Sequence, residues 1–354
     1  FCFELMAYTA LNLAHRPLCS CASLRVTRAA ASVALPSLPR PRLSGAAVPC
    51  RSSWRVLPWC LATLALAKSK DAKACEAEEG NHKLRSVKLH SIEEGDSEPT
   101  QIVVLVHGLD SWSGTWDSLM HLLAKRGIHT LAVDLRGHGE SPMGNSSDFS
   151  PKQLAADVRT TLKALDLQGK RVALIGHSMG GRIALQYAAD YPEDLNLLVI
   201  EDMDCVPRTY PVLTGEDLSK CEAFSREFQS WDAARQKLIS FGYDAERVDG
   251  WYTSSPPRVY ERAGRMWSCI NPFAQYLAKQ TVLNSDQGQR SLQEIAVLSN
   301  SGRANFAVHV CVAGPGERGT VCSWDKLPGG IRDMQSILPS LQVHQFPAAG
   351  HSIH

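Results

Sequence analysis

The chain has 354 residues, a formal net charge of +1 and 21% charged residues. Because basic and acidic residues nearly balance, the composition gives no indication of binding to nucleic acid or to another polyanion. The hydrophobic content of 44% is that of a protein with an ordinary folded core, and the length permits one large domain or two small ones.

The first 80 residues differ in composition from the rest of the chain. No acidic residue occurs between Glu4 and Asp71, while Arg and Lys recur among Ala, Ser and Pro. This composition is typical of a transit peptide, so we predict that residues 1–80 are a targeting leader for a mitochondrion or a plastid. The alternatives are a disordered extension on a cytoplasmic protein and a second, signal-like element at residues 55–67. The apolar run at 56–67 is shorter than the ~20 residues of a membrane helix and contains Pro58, so no stable membrane span is predicted.

Strand and helix patterns alternate from residue 81 onwards. Residues 83–90 alternate like a half-exposed first strand, and Ile102–Val106 is the continuous apolar run expected of a parallel strand covered on both faces. Apolar residues at i, i+3, i+4 and i+7 predict a helix from about residue 116 to 123. Further strands are predicted at 130–133, 171–175 and 197–200, with helices at about 151–165 and 183–188.

The alternation is interrupted from about Cys205 to Arg303, where the sequence is polar, helical in places and rich in Trp and Tyr. Strand patterns return at 306–312 and 341–346, with a helix pattern between them. We therefore predict an α/β fold with a doubly wound, mostly parallel sheet and helices on both faces, formed by residues 81–204 and 304–354. Residues 205–303 are predicted to form a helical cap.

The sequence G-H-S-M-G at residues 176–180 lies directly after a strand pattern and directly before a helix pattern. This G-x-S-x-G arrangement is typical of a nucleophile elbow, a tight turn with no room for side chains at its two glycines. The turn presents the serine hydroxyl to the cleft at a helix N-terminus, where backbone N–H groups stabilise negative charge. We therefore predict that Ser178 is a nucleophile.

An oxyanion hole on such a scaffold requires two backbone N–H donors. One is expected from Met179, which follows the nucleophile. The other is expected from the loop after strand 102–106, which reads H-G-L-D at 107–110, and Leu109 is the candidate.

Four segments occur in a characteristic order: H-G-L at 107–109, D-L-R-G-H-G-E-S at 134–141, G-H-S-M-G-G at 176–181 and A-G-H at 349–351. Together, from about residue 83 to the C-terminus, they resemble the α/β-hydrolase fold and, within it, the small bacterial and mitochondrial acyl-esterase branch. The resemblance implies a cap between the sixth and seventh strands of the family order, and a loop pinned beneath the cleft by Asp134 and Arg136. It also implies a C-terminal helix after the histidine loop; because the sequence stops at His354, we expect that helix to be missing and His351 to be less firmly held.

The resemblance also assigns the remaining catalytic residues. The general base comes last in the chain, which indicates His351. The acyl-esterase branch carries its acid after the preceding strand, where Asp202 lies. Asp204, Glu317 and Asp325 are the alternatives, because many relatives carry the acid after the next-to-last strand. Any carboxylate placed to orient the imidazole and stabilise imidazolium would suffice.

These residues predict a serine hydrolase of the carboxylesterase or lipase type, which cleaves a carboxylic-ester or thioester bond through an acyl-enzyme without a cofactor or metal. The expected substrate is a small acyl ester or thioester with an apolar acyl group, because the cap is rich in aromatic residues. An acyltransferase or carbon–carbon bond hydrolase on the same triad, and a non-catalytic ligand-binding receptor of this fold, are the alternatives. The eleven cysteines lack metal-finger spacing, so neither a disulfide framework nor a zinc site is predicted.

Overall fold

The computed structural model describes residues 84–96, 99–167, 169–315, 319–324 and 328–354. The predicted leader and its signal-like element lie outside the described residues, as do two of the candidate acids, Glu317 and Asp325. In the part of the chain that is described, no helix is both long enough and apolar enough to cross a membrane.

A seven-stranded sheet lies at the centre of the fold, and its strands are β1 Ser91–Glu94, β2 Ile102–Val106, β3 His129–Val133, β4 Val172–His177, β5 Leu195–Glu201, β9 Ala307–Ala313 and β10 Gln342–Phe346. Their spatial order is β1-β3-β2-β4-β5-β9-β10. Only β1 runs antiparallel to its neighbour, and the other pairings are parallel. The mostly parallel, doubly wound sheet predicted from the sequence is therefore confirmed.

Helices cover both faces of this sheet. Successive residues of β2 alternate between two hydrophobic clusters: Val104 and Val106 belong to the larger one, and Val103 and Leu105 to the other. This is why the strand is a continuous apolar run, since side chains on both faces are buried. The helices between the strands are α1 Asp117–Ala124, α2 Pro151–Ala164, α3 Met179–Asp190 and α9 Ile331–Ile337.

The segment between β5 and β9, which the sequence predicts to form a cap, has two structural parts, and the first, residues 215–268, is called the cap below. This first part has its own hydrophobic cluster, which includes Leu238, Val248 and Trp251. It consists of helices and of a small three-stranded antiparallel sheet, in which the third strand along the chain lies between the first two. The elements are α4 Gly215–Glu222, β6 Glu227–Phe228, α5 Trp231–Ser240, α6 Ala245–Thr253, β7 Val259–Arg262 and β8 Arg265–Ser268.

The small sheet is an element that the prediction of a helical cap did not include, and its cause is local. Ala263 and Gly264, between β7 and β8, both have positive φ, at 51° and 76°. Two consecutive residues of this kind form the tight loop that matches the twist of a β-hairpin. A two-residue turn containing Gly is therefore the sequence signal for this hairpin.

The second part of the segment packs on the main sheet and not in the cap. It contains α7 Pro272–Ala278, a π-helical turn Lys279–Leu283 and α8 Gln287–Asn300. Ala274, Leu292 and Ile295 belong to the larger cluster of the sheet, beside residues of α3. Residues 272–300 therefore help to fix the helix that follows the candidate nucleophile.

The prediction of a strand at 83–90 is wrong, because the strand at this sheet edge is β1 at Ser91–Glu94. The backbone N–H groups of Arg85, Val87 and Leu89 donate instead to side chains of α2. These acceptors are Gln153, Asp157 and Thr161. Every second N–H group of this segment thus faces α2, as in a strand that faces a neighbour. The segment is extended, but its partners are side chains of a helix and not another strand.

Candidate active site

The candidate nucleophile Ser178 lies between β4 and α3 in a strained backbone conformation, with φ 51° and ψ −123°. Such a residue is destabilising by ~1–3 kcal/mol and persists where its surroundings enforce it. The enforcement is close packing: a Cβ on Gly180 would collide with the backbone oxygens of Val106 and His107. The Ser178 N–H also donates to the Glu201 carbonyl at 2.8 Å. The turn therefore holds the hydroxyl at the carboxyl edge of the sheet.

Three predicted side chains meet at this edge in a single hydrogen-bonded chain. The Ser178 Oγ lies 3.0 Å from His351 Nε2, and His351 Nδ1 lies 2.7 Å from Asp202 Oδ2. Because a carboxylate only accepts, Nδ1 carries the proton and Nε2 is left to accept from the hydroxyl. His351 is thus in the tautomer that can remove the proton from Ser178.

The Asp202 carboxylate is fully buried and is held as an anion by several donors. Beyond His351, Oδ1 accepts from the Ala313 N–H at 2.9 Å and the Thr320 hydroxyl at 2.5 Å, and Oδ2 accepts from the Val321 N–H at 3.0 Å. Burial acts to raise the pKa of Asp202, but these hydrogen bonds outweigh it and hold the pKa below its usual range. Asp202 therefore remains charged at neutral pH.

The nearby carboxylate of Asp204, a second candidate acid, points to different partners. It accepts from the Val206 N–H at 3.0 Å, the Ser323 N–H at 2.7 Å and the Arg208 guanidinium at 2.8 Å. Asp204 is as buried as Asp202, so burial does not separate the two candidates. The hydrogen bond to His351 does, and it belongs to Asp202. Glu317 and Asp325 lie outside the described residues.

The predicted oxyanion loop passes directly beside the nucleophile. A Cβ on Gly108 would lie 2.9 Å from the Cβ of Ser178, so only glycine permits this approach. In the described part of the chain, neither the Leu109 N–H nor the Met179 N–H donates a hydrogen bond to a backbone carbonyl of a turn, a loop or a helix end. Met179 is the first residue of α3, where N–H groups have no partner within the helix. Both predicted donors are thus available next to Ser178.

Glu201 has a structural role that its place in the sequence does not reveal, since a charged residue at the end of a strand is expected to be solvated. Its carboxylate is fully buried, and Oε1 accepts from the Ile353 N–H at 2.6 Å and from the His354 ring at 2.8 Å. The His354 ring lies against Trp116, with centroids 3.9 Å apart. No signal in the sequence separates Glu201 from a solvated acid at the end of a strand. These contacts fix the residues just beyond His351.

His177, within the elbow, supports the same histidine loop. Its Nε2 lies 2.9 Å from the backbone oxygen of His351, so the ring donates to the loop that carries the candidate base. Burial lowers the pKa of His177 to about 4. The ring is therefore neutral at physiological pH and acts as a fixed donor.

The D-L-R-G-H-G-E-S segment forms a buried polar anchor below the cleft. Asp134 accepts from the Ser113 N–H at 2.6 Å and from His90 Nδ1 at 2.7 Å. Arg136 is fully buried and makes two hydrogen bonds to Asp157, at 2.8 and 2.9 Å. Both residues thus tie the loop after β3 to neighbouring elements.

A cleft of about 1200 Å³ opens in front of His351. The sheet domain contributes Leu109, Trp112 and Val321 to its wall, and the cap contributes Trp251 and Pro256. Charged residues are also present along the lining: Asp117, Asp244, Glu246, Arg247 and Arg258. The cleft thus combines apolar surface near the oxyanion loop with a charged wall from the cap.

Within the described residues, no group of three or more His, Cys, Asp or Glu side chains is placed to hold a metal ion. The cysteines of this part of the chain are buried and form no disulfide with one another, at positions 205, 221, 269, 311 and 322.

Comparison with known proteins gives matches along this part of the chain. Residues 97–232 match the family model described as Hydrolase_4, serine aminopeptidase S33. The mouse (Mus musculus) sn-1-specific diacylglycerol lipase ABHD11 is 35% identical over 283 residues, which cover 77% of this chain and 82% of the lipase.

Further relatives match over shorter lengths. An uncharacterized protein of Mycobacterium bovis is 36% identical over 98 residues, and the chain spans only 28% of that protein's length and matches it over 28% of its own. Among solved structures, E-2-(acetamidomethylene)succinate hydrolase superimposes with a TM-score of 0.51 at 21% identity, over 75% of this chain and 88% of that one. At this identity the similarity shows a shared fold.

Proposed function

This chain belongs to the α/β-hydrolase superfamily, and we propose that it is a serine hydrolase that cleaves a carboxylic-ester or thioester bond through an acyl-enzyme intermediate. The observation that carries the proposal is the chain of hydrogen bonds from Ser178 through His351 to Asp202, at 3.0 and 2.7 Å. These three side chains lie beside two available backbone N–H groups and at a substrate-sized cleft.

The first half-reaction acylates the serine. His351 Nε2 removes the Ser178 proton as Oγ attacks the substrate carbonyl, and the negative charge that develops on the carbonyl oxygen faces the N–H groups of Leu109 and Met179. Each such donor lowers the barrier by ~3–4 kcal/mol. The imidazolium, stabilised by Asp202, then protonates the leaving alcohol or thiol as its bond to the acyl carbon breaks.

The second half-reaction uses water in the position of the departed alcohol. His351 removes a proton from the water, whose oxygen attacks the acyl carbon, and the collapse of the tetrahedral intermediate returns the proton to Ser178 Oγ. The product is a free carboxylic acid. The enzyme returns to its starting protonation state, and the reaction consumes only the substrate and one water molecule.

We propose an ester with an apolar acyl group, of the neutral lipid type, as the substrate class. Leu109, Trp112 and Trp251 give the cleft the apolar surface that an acyl chain requires. The mouse relative that the chain matches over 82% of its length is named as a diacylglycerol lipase. The charged wall of the cap is suited to a polar leaving group at the mouth of the cleft.

A fluorophosphonate probe and an ester series test this function. We expect the probe to label wild-type protein at Ser178 and a Ser178→Ala variant not at all. We expect nitrophenyl esters of increasing chain length, and matched thioesters, to be hydrolysed by the wild type only. A folded wild-type protein that neither reacts with the probe nor hydrolyses any ester would refute the proposal, and labelling without turnover would favour a receptor.

For the leader, we propose that residues 1–80 direct the protein to a mitochondrion or a plastid. The support is its acid-poor, Arg-rich and Ser-rich composition. Fusion of residues 1–82 to a fluorescent protein should give organelle fluorescence, whereas residues 83–354 fused alone should remain in the cytoplasm. Cytoplasmic fluorescence of both fusions would contradict the proposal.

A further inference from the structure

Asp110, the residue after the oxyanion donor Leu109, has a buried carboxylate with several partners. Its Oδ1 accepts hydrogen bonds from the Tyr243 hydroxyl at 3.3 Å and from the Gln275 side-chain amide. Its Oδ2 pairs with the Arg247 guanidinium at 3.1 Å. The side chain of Asp110 is only 9% exposed, so these groups replace its contact with water.

These partners come from the segment between β5 and β9 and not from the sheet. Tyr243 and Arg247 lie in the cap, just before and within α6, and Gln275 lies on α7. A further cap residue, Arg258, donates to the backbone oxygen of Asp110 at 3.3 Å. Asp110 is thus bound to the cap through both its side chain and its main chain.

The backbone of Asp110 is in the left-handed region, with φ 55°. Aspartate adopts this conformation more readily than most residues other than glycine but still seldom, so the contacts of Asp110 with the cap help to maintain it. The preceding part of the loop is constrained from the other side. The His107 ring accepts from the Leu135 N–H at 2.9 Å and contacts the Gly108 carbonyl at 2.7 Å. The Leu109 N–H therefore lies between one anchor in the sheet domain and one in the cap.

We propose that Asp110 is a positioning residue that couples the cap to the oxyanion hole: its contacts with Tyr243, Arg247 and Gln275 hold the Leu109 N–H where it stabilises the tetrahedral intermediate. The inference rests on the proposed hydrolase function. A cap that shifts away removes these contacts, so that Asp110 can leave its left-handed conformation and the loop before it can move, together with the Gly108–Leu109 peptide group that carries the N–H. Stabilisation of the intermediate then depends on a seated cap, while attack by Ser178 retains its base.

The test compares wild type with Asp110→Asn and Tyr243→Phe, each corrected for active sites by fluorophosphonate titration. We expect Asp110→Asn to lower kcat about 10- to 100-fold with little change in KM, which is less than the ~10²–10³-fold effect of losing one donor completely. Tyr243→Phe removes one hydrogen bond and is expected to lower kcat about fivefold. Tyr243 lies outside the cleft lining, so a direct substrate contact would not explain its effect.

A boronic acid inhibitor separates positioning from a general loss of stability. Its boron bonds to Ser178 Oγ, the hydroxyl proton passes to His351, and the resulting tetrahedral anion places an oxygen in the oxyanion hole. We expect the inhibition constant of an aryl boronic acid to rise in each variant by the same factor by which kcat/KM falls. Partial unfolding would lower the number of titratable sites and leave this constant unchanged.

Asp249→Asn is the matched control, because Asp249 lies in α6 as Arg247 does but forms its 2.5 Å ion pair with Arg235 and not with Asp110. It should leave kcat, KM and boronate inhibition as in the wild type. If wild type is active and both test variants keep the wild-type inhibition constant and kcat, the inference is overturned and the hydrolase function stands. If wild type neither reacts with the probe nor hydrolyses esters, the proposed function is overturned and this inference with it.

Discussion

Replacing Asp202 by asparagine removes the charge behind His351 and changes little else in shape. The wild-type carboxylate accepts from His351 Nδ1 and the Val321 N–H on one oxygen, and from the Ala313 N–H and the Thr320 hydroxyl on the other. An amide has only one acceptor atom, so one of these two pairs must face an NH₂ group.

Each orientation of the amide has a calculable effect on catalysis. If the NH₂ faces His351, the ring must adopt the other tautomer, and Nε2 then carries a hydrogen and cannot accept the Ser178 proton; a defect of this kind lowers kcat by ~10⁴-fold. If the oxygen faces His351, the tautomer is kept but the imidazolium loses its counter-charge. Two unit charges about 4 Å apart at an effective dielectric of 20 interact by ~4 kcal/mol, which corresponds to ~10³-fold in rate. We therefore expect kcat of the variant to be lower than that of the wild type by a factor between ~10³ and ~10⁴.

The assay is ester hydrolysis per titrated active site, with Asp204→Asn as the control. Asp204 is equally buried and lies two residues away, but its partners are Arg208, Val206 and Ser323. Its substitution should lower the midpoint of thermal unfolding and leave kcat per site within about threefold, because His351 keeps its acceptor. An Asp202→Asn variant with kcat within about tenfold of wild type, or a larger loss in Asp204→Asn, would refute the assignment of Asp202.

Three further outcomes are expected. Gly180→Ala should abolish probe labelling, because its Cβ would strike the carbonyl of Val106. Gly250→Ala in α6 meets no atom within 4 Å and should raise the unfolding midpoint slightly. Thermal scans compare the two variants. Glu201→Ala leaves three donors of the histidine loop without their acceptor and should lower the free energy of unfolding by about 1–3 kcal/mol, as measured in urea; no change would contradict the anchoring role. His138 is buried, and burial lowers its pKa from 6.5 to about 3, so below pH 6.5 only the unfolded chain binds a proton there. The free energy of unfolding should therefore fall by about 1.4 kcal/mol per pH unit between about pH 6 and 4 from this group, and His138→Asn should show a slope shallower by that amount in denaturant titrations.

The sheet and the elbow are predictable because their signals are local. The continuous apolar run at 102–106 requires two covered faces, and the structure provides two clusters for its alternate residues. The glycines around Ser178 are required by contacts within the elbow and with β2, which the G-x-S-x-G pattern already encodes. Such features are visible in the period of one element or in a short motif.

The polar support of the site is less predictable because it depends on residues far apart in the chain. Asp202 and His351 are separated by 149 positions, and Asp202 and Thr320 by 118. Asp110 is separated by 165 positions from Gln275 on α7. The residue type does not show whether an acid is buried or solvated, so the sequence alone could not distinguish Glu201 from a surface charge. Only the resemblance to a family ranked Asp202 above Asp204.

Three acids at the carboxyl end of β5 and just beyond it contact different parts of the site, because their side chains point in different directions. The carbonyl of Glu201 receives the Ser178 N–H, and its side chain holds the residues after His351. The next residue, Asp202, has φ 44°, which turns its carboxylate under the imidazole. Asp204 then anchors Arg208 at the entrance to the cap segment. Three acids within four positions thus fix the nucleophile, the base and the start of the cap. The three side chains have separate partners, so a change in one carboxylate removes none of the hydrogen bonds of the other two.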